Sequence, residues 1–442
     1  MLQPPALSLV CHDCADSGLA CERGRQPAHR QVHRRTGGSP NTRFLIISVS
    51  MNHGSLYSVL KAIKPLRALV RRLRSFWQRY RLEAWVLEGA ERNSGEPIRV
   101  LVVGQVENCN YLARVVFADG SIAVQRQKMW KHHAWSLLDV PECPYGLIFI
   151  QTDKTLLEAA QVHDRFVVPT WIAGELDVIR ALESPSASTS VKRDVRHIRS
   201  SRFQYRTTRD PDAIERFFSD MYLPYIQQTH GDGAFAASLD EFRQEAEKGA
   251  ELLFVEQDGK AVAGVLLGLN DPECMAALEL GVLGADRNLV KAGALAAIYY
   301  FSLLHAANRG FRRLFLGGAR PFLNDGPLQY KKKWGVRLTG RLQTMPDAWI
   351  FRPHPHSAAA RSFLLNNPFV FEKDDSLHVA VFVGENEVLG EEPIARLRKS
   401  HSLPGIAGIS VFRLTSERGL QAALSMAPAS ARESAIETVP AA

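Results

Sequence analysis

Cysteine is scarce in this sequence, with six residues in 442. A small secreted domain that depends on disulfides has a far higher density, so the composition excludes a disulfide scaffold and favours reduced thiols in the cytoplasm. Cys11, Cys14 and Cys21 lie close together. A C-x-x-C without a second pair of ligands does not indicate a structural zinc site, and we expect no metal.

Long hydrophobic runs are also lacking. The longest uncharged apolar stretch, residues 292–307, is shorter than the ~18–20 residues that a membrane-spanning helix requires. Residues 44–51 follow Arg43 and imitate a secretion signal, but no small-x-small cleavage site follows them. We therefore expect neither a transmembrane helix nor export. With 46% hydrophobic and 23% charged residues, the chain has ordinary globular composition.

Acidic residues are nearly absent from the first 82 positions. This segment holds 14 Lys and Arg against three acids, a net +11, whereas the remaining residues carry a net −3. The whole-chain charge of +8 therefore does not describe a basic body, and a uniformly basic nucleic-acid binder is excluded, with no DNA partner expected.

Residues 51–82 have apolar positions at alternating spacings of three and four, with cations largely on the opposite side. This pattern predicts a basic amphipathic helix. Two interpretations stay open. In the first, residues 56–82 make a peripheral contact with the anionic inner face of a membrane. In the second, the helix packs on the next domain and its basic face is solvated.

The rest of the chain alternates strand and helix signals, and its clearest linker is SPSASTS, residues 184–190. Three β-branched runs predict strands at Pro97–Gln105, Tyr111–Ala118 and Tyr145–Gln151. The predicted segments are 1–50, disordered, with Met51 as an alternative start; 51–82, the basic helix; 83–183, a first α/β unit; 184–200, linker and short basic helix; 201–375, a second α/β unit; 376–412, strand, helix and strand; and 413–442, a disordered tail.

Residues 201–375 predict a strand, two helices, an antiparallel hairpin, a strand, a helix, a strand and a helix. The most distinctive sequence motif is GGARPFLNDGPLQYKKKWG, Gly317–Gly335. Two further stretches, SVKRDVRHIRS and MYLPYIQQTHG, lie upstream. These stretches resemble the FemAB-like branch of the GNAT acyltransferase superfamily, whose members carry G-x-x-x-x-K-x-x-W/F-G late in a second GNAT unit. The resemblance covers about residues 85–385. It implies a mixed α/β fold with two tandem GNAT-like units, the first degenerate.

The resemblance also implies a function. Members transfer acyl or aminoacyl groups to amines, from acyl-CoA or from aminoacyl-tRNA. We therefore expect a cytoplasmic N-acyltransferase, peripheral to the membrane if residues 56–82 bind lipid, that acts on an amine of an anionic small molecule or cell-envelope precursor. The alternative is an inactive GNAT-fold scaffold recruited to a membrane or polysaccharide assembly.

Acyl-CoA would need a site for its phosphates, and GNAT proteins use a Q/R-x-x-G-x-G/A loop at a helix N-terminus for this purpose. The matching text here runs from Arg287 to Ala294, where only Gly293 and Ala294 keep the expected register. Arg287 and Lys291 could supply positive charge, but the first glycine of the pattern is missing. Gly293 either helps to bind phosphate or only allows close packing of helix on sheet.

Catalysis also needs a group that accepts the proton of the amine. Asp325 follows a buried strand, where open α/β sheets bind ligands, and is predicted to orient or deprotonate the amine, with Glu279 as the alternative base. Tyr330 stands where many GNAT enzymes keep a tyrosine as general acid to the departing thiolate, or it is a core aromatic whose hydroxyl is satisfied.

Further residues are candidates for contact with the substrate: Arg320, Lys331, Lys333, Trp334 and His230. A guanidinium at Arg320 suits an anionic substrate or caps strand carbonyls. The lysines anchor a phosphate or carboxylate, or form a solvated helix face. His230 contacts the substrate or ends a helix.

Overall fold

A computed structural model describes residues 81–118, 120, 122–141, 143–152, 164–183, 189–230, 236–416 and 419–429. The predicted leader (1–50), residues 51–80 of the predicted basic helix and the last part of the predicted tail (430–442) lie outside the described residues. Arg81 and Leu82, which the sequence places at the end of that helix, instead begin the first strand.

The strands are β1 Arg81–Ala90, β2 Pro97–Val103, β3 Ala123–Trp130, β4 Leu147–Thr152, β5 Phe166–Pro169, β6 Ile172–Asp177, β7 Gln204–Thr208, β8 Glu251–Gln257, β9 Lys260–Gly268, β10 Cys274–Val282, β11 Arg313–Ala319, β12 Arg337–Arg341, β13 Ala348–Pro353, β14 Phe369–Lys373, β15 Ser376–Val383, β16 Gly408–Thr415 and β17 Gly419–Met426. The helices are α1 Val106–Val116, α2 Lys131–Ser136, α3 Val178–Glu183, α4 Thr189–Ser200, α5 Pro211–Phe217, α6 Leu223–His230, α7 Leu239–Glu247, α8 Arg287–Ala292, α9 Ala294–Asn308, α10 Gly326–Lys333, α11 Ala358–Asn366 and α12 Glu391–His401.

These strands form two mixed sheets, as the α/β prediction requires. One sheet has the order β17-β16-β15-β14-β5-β13-β4-β2-β1-β3, and the other has the order β12-β6-β11-β10-β9-β8-β7. In the second sheet, β7 to β11 with α5, α6, α7 and α9 follow the element order that the resemblance implies, including the predicted hairpin β8–β9. No helix in the described part of the chain is long and apolar enough to cross a membrane.

The two sheets do not respect the predicted boundary between the units. β6, from the predicted first unit, lies between β12 and β11 in the second sheet. β13 and β14, from the predicted second unit, pair with strands of the first sheet. Strand pairing is decided by partners that are distant in sequence, so composition and linkers could not reveal this exchange.

Two local predictions were wrong. Residues 111–118 were expected to form a strand, but α1 covers 106–116, because Cys109, Leu112 and Val116 recur at helical spacing and all face the core. Residues 413–442 were expected to be disordered, but β17 pairs antiparallel with β16. Leu420 and Leu424 pack against the hydrophobic cores, which stabilises this last strand.

Candidate functional site

The candidate site lies where two parallel strands of the seven-stranded sheet part. β10 pairs with β11 over residues 274–276 and 313–315. Farther along, β10 has a bulge between Ala277 and Glu279. β11 runs on into the loop that ends at Asp325. Bulges are common beside active sites because they redirect a side chain, and this one lies at Glu279.

Glu279 has the electrostatics of a proton acceptor. Burial raises the pKa of its carboxyl from 4.5 to about 7, and the nearby Glu241 carboxylate raises it further, whereas a hydrogen bond with Tyr222 lowers it. A carboxyl that titrates near neutral pH can take up a proton under physiological conditions. Perturbed groups of this kind cluster at functional sites, although ion pairs in a core also produce them.

Asp325 lies in the loop that follows β11 and caps the N-terminus of α10. Its Oδ1 accepts the Leu328 N–H at 3.4 Å as the N-cap of α10, and its Oδ2 accepts the Tyr111 hydroxyl at 3.4 Å. Burial raises the pKa of Asp325, whereas the Leu328 N–H and the charges of Arg320 and Lys331 lower it. Its predicted action on an amine stays a prediction.

Lys331 is almost completely buried, with 5% of its surface exposed. Its Nζ donates to the carbonyl oxygens of Gly317 and Gly318, at 2.8 and 2.5 Å, near the end of strand β11. Burial lowers the pKa of this amine to about 7. The ammonium therefore lies at the parting of the strands and satisfies two strand carbonyls, and it is not part of a solvated helix face.

Arg320 joins the two sheets. Only 4% of its surface is exposed, and its Nη1 donates to Asn108 Oδ1 (2.8 Å) and to the Thr170 carbonyl (3.0 Å). The guanidinium carbon lies 4.0 Å from the ring centre of Trp171 and 4.4 Å from that of Tyr111. Guanidinium groups stack well on aromatic faces. These contacts are internal, and the predicted contact with an anionic substrate stays a prediction.

A cleft of about 310 Å³ opens beside the N-terminus of α9. Its lining comes from α4, from the α8–α9 turn, from the start of α9 and from α10: Arg193, Asp194, His197, Val290, Lys291, Gly293, Leu295, Ala296 and Tyr330. The unpaired N–H groups of a helix N-terminus favour anions, and the exposed Arg193 and Lys291 add positive charge. The cleft therefore has the electrostatics of a phosphate site.

Gly293 shapes this cleft. It ends α8 and precedes α9 at φ 102° and ψ 15°, a left-handed conformation that favours glycine. Lys291 lines the cleft. Arg287 begins α8 on the exposed surface and is not part of the lining, and Ala294 is the fully buried first residue of α9. The predicted roles of Arg287, Lys291, Gly293 and Ala294 in binding a cofactor stay predictions.

Tyr330 lines the cleft and packs against a second tyrosine, with its ring centre 5.1 Å from that of Tyr299. Burial raises the pKa of both phenols, so both keep their protons at neutral pH. Lys333 forms an ion pair with Asp194 across the cleft wall. Trp334 is buried with its ring 5.7 Å from Tyr299, so it supports this wall from inside.

Sequence reasoning missed the contribution of α4. Its short basic stretch was interpreted as linker and helix, yet Val191 and Ile198 are buried and pack it against the hydrophobic core that contains α9. Arg193 and His197, four residues apart, thereby line the cleft from one helix face. The spacing of the apolar residues was a signal that could have revealed this. The side chain of His230, at the end of α6, lies outside what the structure describes.

No group of three or more His, Cys, Asp or Glu residues in the described ranges is arranged to hold a metal ion. The cleft combines a helix N-terminus with the basic side chains of Arg193 and Lys291, an arrangement that favours anionic groups.

No family model and no curated protein matches the chain. Parts of its structure are similar to several solved structures. The C-terminal domain of a putative lysylphosphatidylglycerol synthetase from Agrobacterium fabrum is 10% identical, with 61% of this chain and 81% of that chain covered and a TM-score of 0.31. FemX is 12% identical, with 60% and 83% covered and a TM-score of 0.32. A tandem GNAT protein from the clavulanic acid biosynthesis pathway is 13% identical, with 59% and 79% covered and a TM-score of 0.26.

Proposed function

We propose that the chain is an N-acyltransferase that binds the phosphates of an activated acyl donor in the cleft at Gly293 and transfers the acyl group to an amine. The observation that carries the proposal is one cleft that combines a helix N-terminus, the cations Arg193 and Lys291, and the phenol of Tyr330. The helix N-terminus, the two cations and the phenol thus line one cleft, and strand β10 carries Glu279 at its bulge.

The proposed reaction with a thioester donor needs two proton transfers. Glu279 accepts a proton from the amine while the amine nitrogen forms a bond to the acyl carbon. The carbon–sulfur bond then breaks, and the leaving thiolate takes the proton of the Tyr330 hydroxyl, which solvent later replaces. A phenol whose pKa is raised by burial keeps that proton until the thiolate forms. With an aminoacyl ester donor, the leaving group is an alkoxide instead of a thiolate.

Acyl-CoA and aminoacyl-tRNA are both compatible with the positive charge of the cleft. For the acceptor, we propose an amine on an anionic small molecule or cell-envelope precursor, in keeping with the resemblance and with the cations near the site. Residues 56–80 would bring the enzyme to such an acceptor at a membrane surface.

Donor binding can be tested on the full chain by thermal shift and calorimetry with acetyl-CoA, a long-chain acyl-CoA and an aminoacyl-tRNA. A ligand that binds only the folded state raises the melting temperature. We expect one donor class to do so, and Arg193→Ala or Lys291→Ala to weaken its binding. Lys260→Ala, an exposed lysine on β9, is the matched control. Stabilisation by none of the three donors would contradict the proposal.

Turnover can be followed by mass spectrometry of products from a panel of amines with the donor that binds. Glu279→Gln removes the proton acceptor and Tyr330→Phe removes the proton donor, and each is expected to lower kcat by about 10²-fold or more. Tyr205→Phe is the control for loss of a phenol, because Tyr205 lies on β7 and its hydroxyl contacts Asn308 at the C-terminal end of α9. Full activity in both Glu279→Gln and Tyr330→Phe would refute the assigned roles.

Two observations favour the inactive scaffold instead. The carboxylate of Asp194 lines the cleft. The segment in which the first glycine of the phosphate loop is expected lacks that glycine and forms helix α8. A negative charge in a phosphate site weakens binding, but Lys333 pairs with Asp194 and offsets it. Donor titration separates the two proposals, because a scaffold would show no saturable donor binding at the cleft.

A further inference from the structure

A turn of π-helix, Phe218–Tyr222, interrupts the helical segment between α5 and α6. π-Helical turns are rare and occur often at functional sites. This one lies directly against β10. A Cβ added to Gly281 would lie 2.5 Å from the backbone carbon of Met221, a distance that real Cβ atoms do not show. Glycine at position 281 therefore allows the backbone of the π-helix to touch the backbone of the strand.

This contact places the side chain of Tyr222 beside the bulged segment of β10. Tyr222 is completely buried, and its hydroxyl oxygen accepts the Ala237 N–H at 2.7 Å. A phenol has one proton to donate. The remaining partner is the Glu279 carboxylate, which is hydrogen-bonded to Tyr222, so the hydroxyl donates to it.

The ring of Tyr222 is itself held in place. Its centre lies 4.9 Å from that of Phe242 on α7 and 5.7 Å from that of Phe218. Within the described residues, Glu241 also acts on the charge of Glu279, and its carboxylate accepts the N–H and hydroxyl of Ser238 in a capping box at the start of α7. Tyr222 thus supplies a hydrogen bond to the charged form of a carboxylate that burial and Glu241 both disfavour.

We propose that Tyr222 is a positioning residue of the acyl-transfer site, whose buried hydroxyl aims the Glu279 carboxylate at the amine. The inference rests on the proposed function of Glu279. It relates three observations to one role: the π-helical turn, the close approach at Gly281 and the buried phenol.

The test is the pH profile of kcat/KM in Tyr222→Phe, which keeps the ring and removes the hydroxyl. Loss of the hydrogen bond disfavours the carboxylate, so the acid limb is expected to move up by about one pH unit. A limb that moves from pH 7 to pH 8 lowers kcat/KM about fivefold at pH 7 and leaves it within about 1.2-fold at pH 9. A merely structural role would lower activity equally at both pH values, and that result would overturn the inference.

Two further variants separate the possible failures. Full activity in Glu279→Gln would overturn both the base and its positioning residue. An inactive Glu279→Gln together with an unchanged pH profile in Tyr222→Phe would overturn the inference alone. Glu279→Asp withdraws the carboxylate from the hydroxyl by one methylene without changing Tyr222. It covers the case in which Tyr222→Phe does not fold, and it is expected to show the same upward shift. An unshifted acid limb in an active Glu279→Asp enzyme would also count against the inference. Tyr205→Phe serves as the control, with an unchanged profile expected.

Discussion

The buried amine of Lys331 makes the stability of the protein depend on pH. Burial lowers its pKa from 10.5 to about 7 in the folded protein, whereas the unfolded chain keeps the ordinary value. Between these two values the unfolded chain binds a proton that the folded protein has lost. The free energy of unfolding therefore rises with pH between about 7 and about 10.5. This added stability is fully present above pH 10.5 and is lost as the pH falls to about 7.

The two pKa values give about 2 kcal/mol of added stability between pH 7 and pH 9. Glu279, with its pKa raised to about 7, works in the opposite direction but changes by only about 0.4 kcal/mol over this range. The dependence can be measured by urea denaturation of the full chain at pH 7, 8 and 9. Comparison with a Lys331 variant cancels the contributions of all other groups.

Lys331→Met keeps the length of the side chain and removes the amine. We expect its unfolding free energy to rise about 2 kcal/mol less than that of the native chain over the same range. The slope is the informative quantity, because the variant also loses the hydrogen bonds to Gly317 and Gly318 at every pH. Lys260→Met, at an exposed site, should keep the native slope. Parallel curves for Lys331→Met and the native chain would refute a lowered pKa at this amine.

Three further changes test the fold and the cleft. Gly293→Ala should cost about 1–2 kcal/mol of stability and weaken donor binding, because φ is 102° there; equal stability by urea denaturation would contradict this. Arg320→Met should cost about 2–4 kcal/mol by leaving Asn108 and the Thr170 carbonyl without the guanidinium, and a loss below about 0.5 kcal/mol would argue against its role in joining the sheets. Ser238→Ala should cost about 1 kcal/mol in the same assay by removing the capping box of α7, and no loss would contradict that contribution.

Local patterns were sufficient for much of the second unit. The hairpin β8–β9 follows from two apolar runs around Asp258-Gly259, and α9 follows from a long stretch rich in alanine and leucine. The resemblance between Gly317 and Gly335 identified the loop and helix that contain Asp325, Tyr330 and Lys331. The environment of these side chains could not be predicted, because the motif gives residue types and not their burial.

The sequence by itself determined the mixed α/β class and most helices and strands of residues 201–412. These features depend on residues that are close together in the chain, where side-chain period and backbone freedom act directly. Only the tertiary structure decided that β6 lies in the second sheet, that α4 supplies Arg193 to the cleft, and that Tyr222 reaches Glu279. Sheet membership and pKa values depend on desolvation and on partners distant in sequence, and these are settled only when the whole chain has packed.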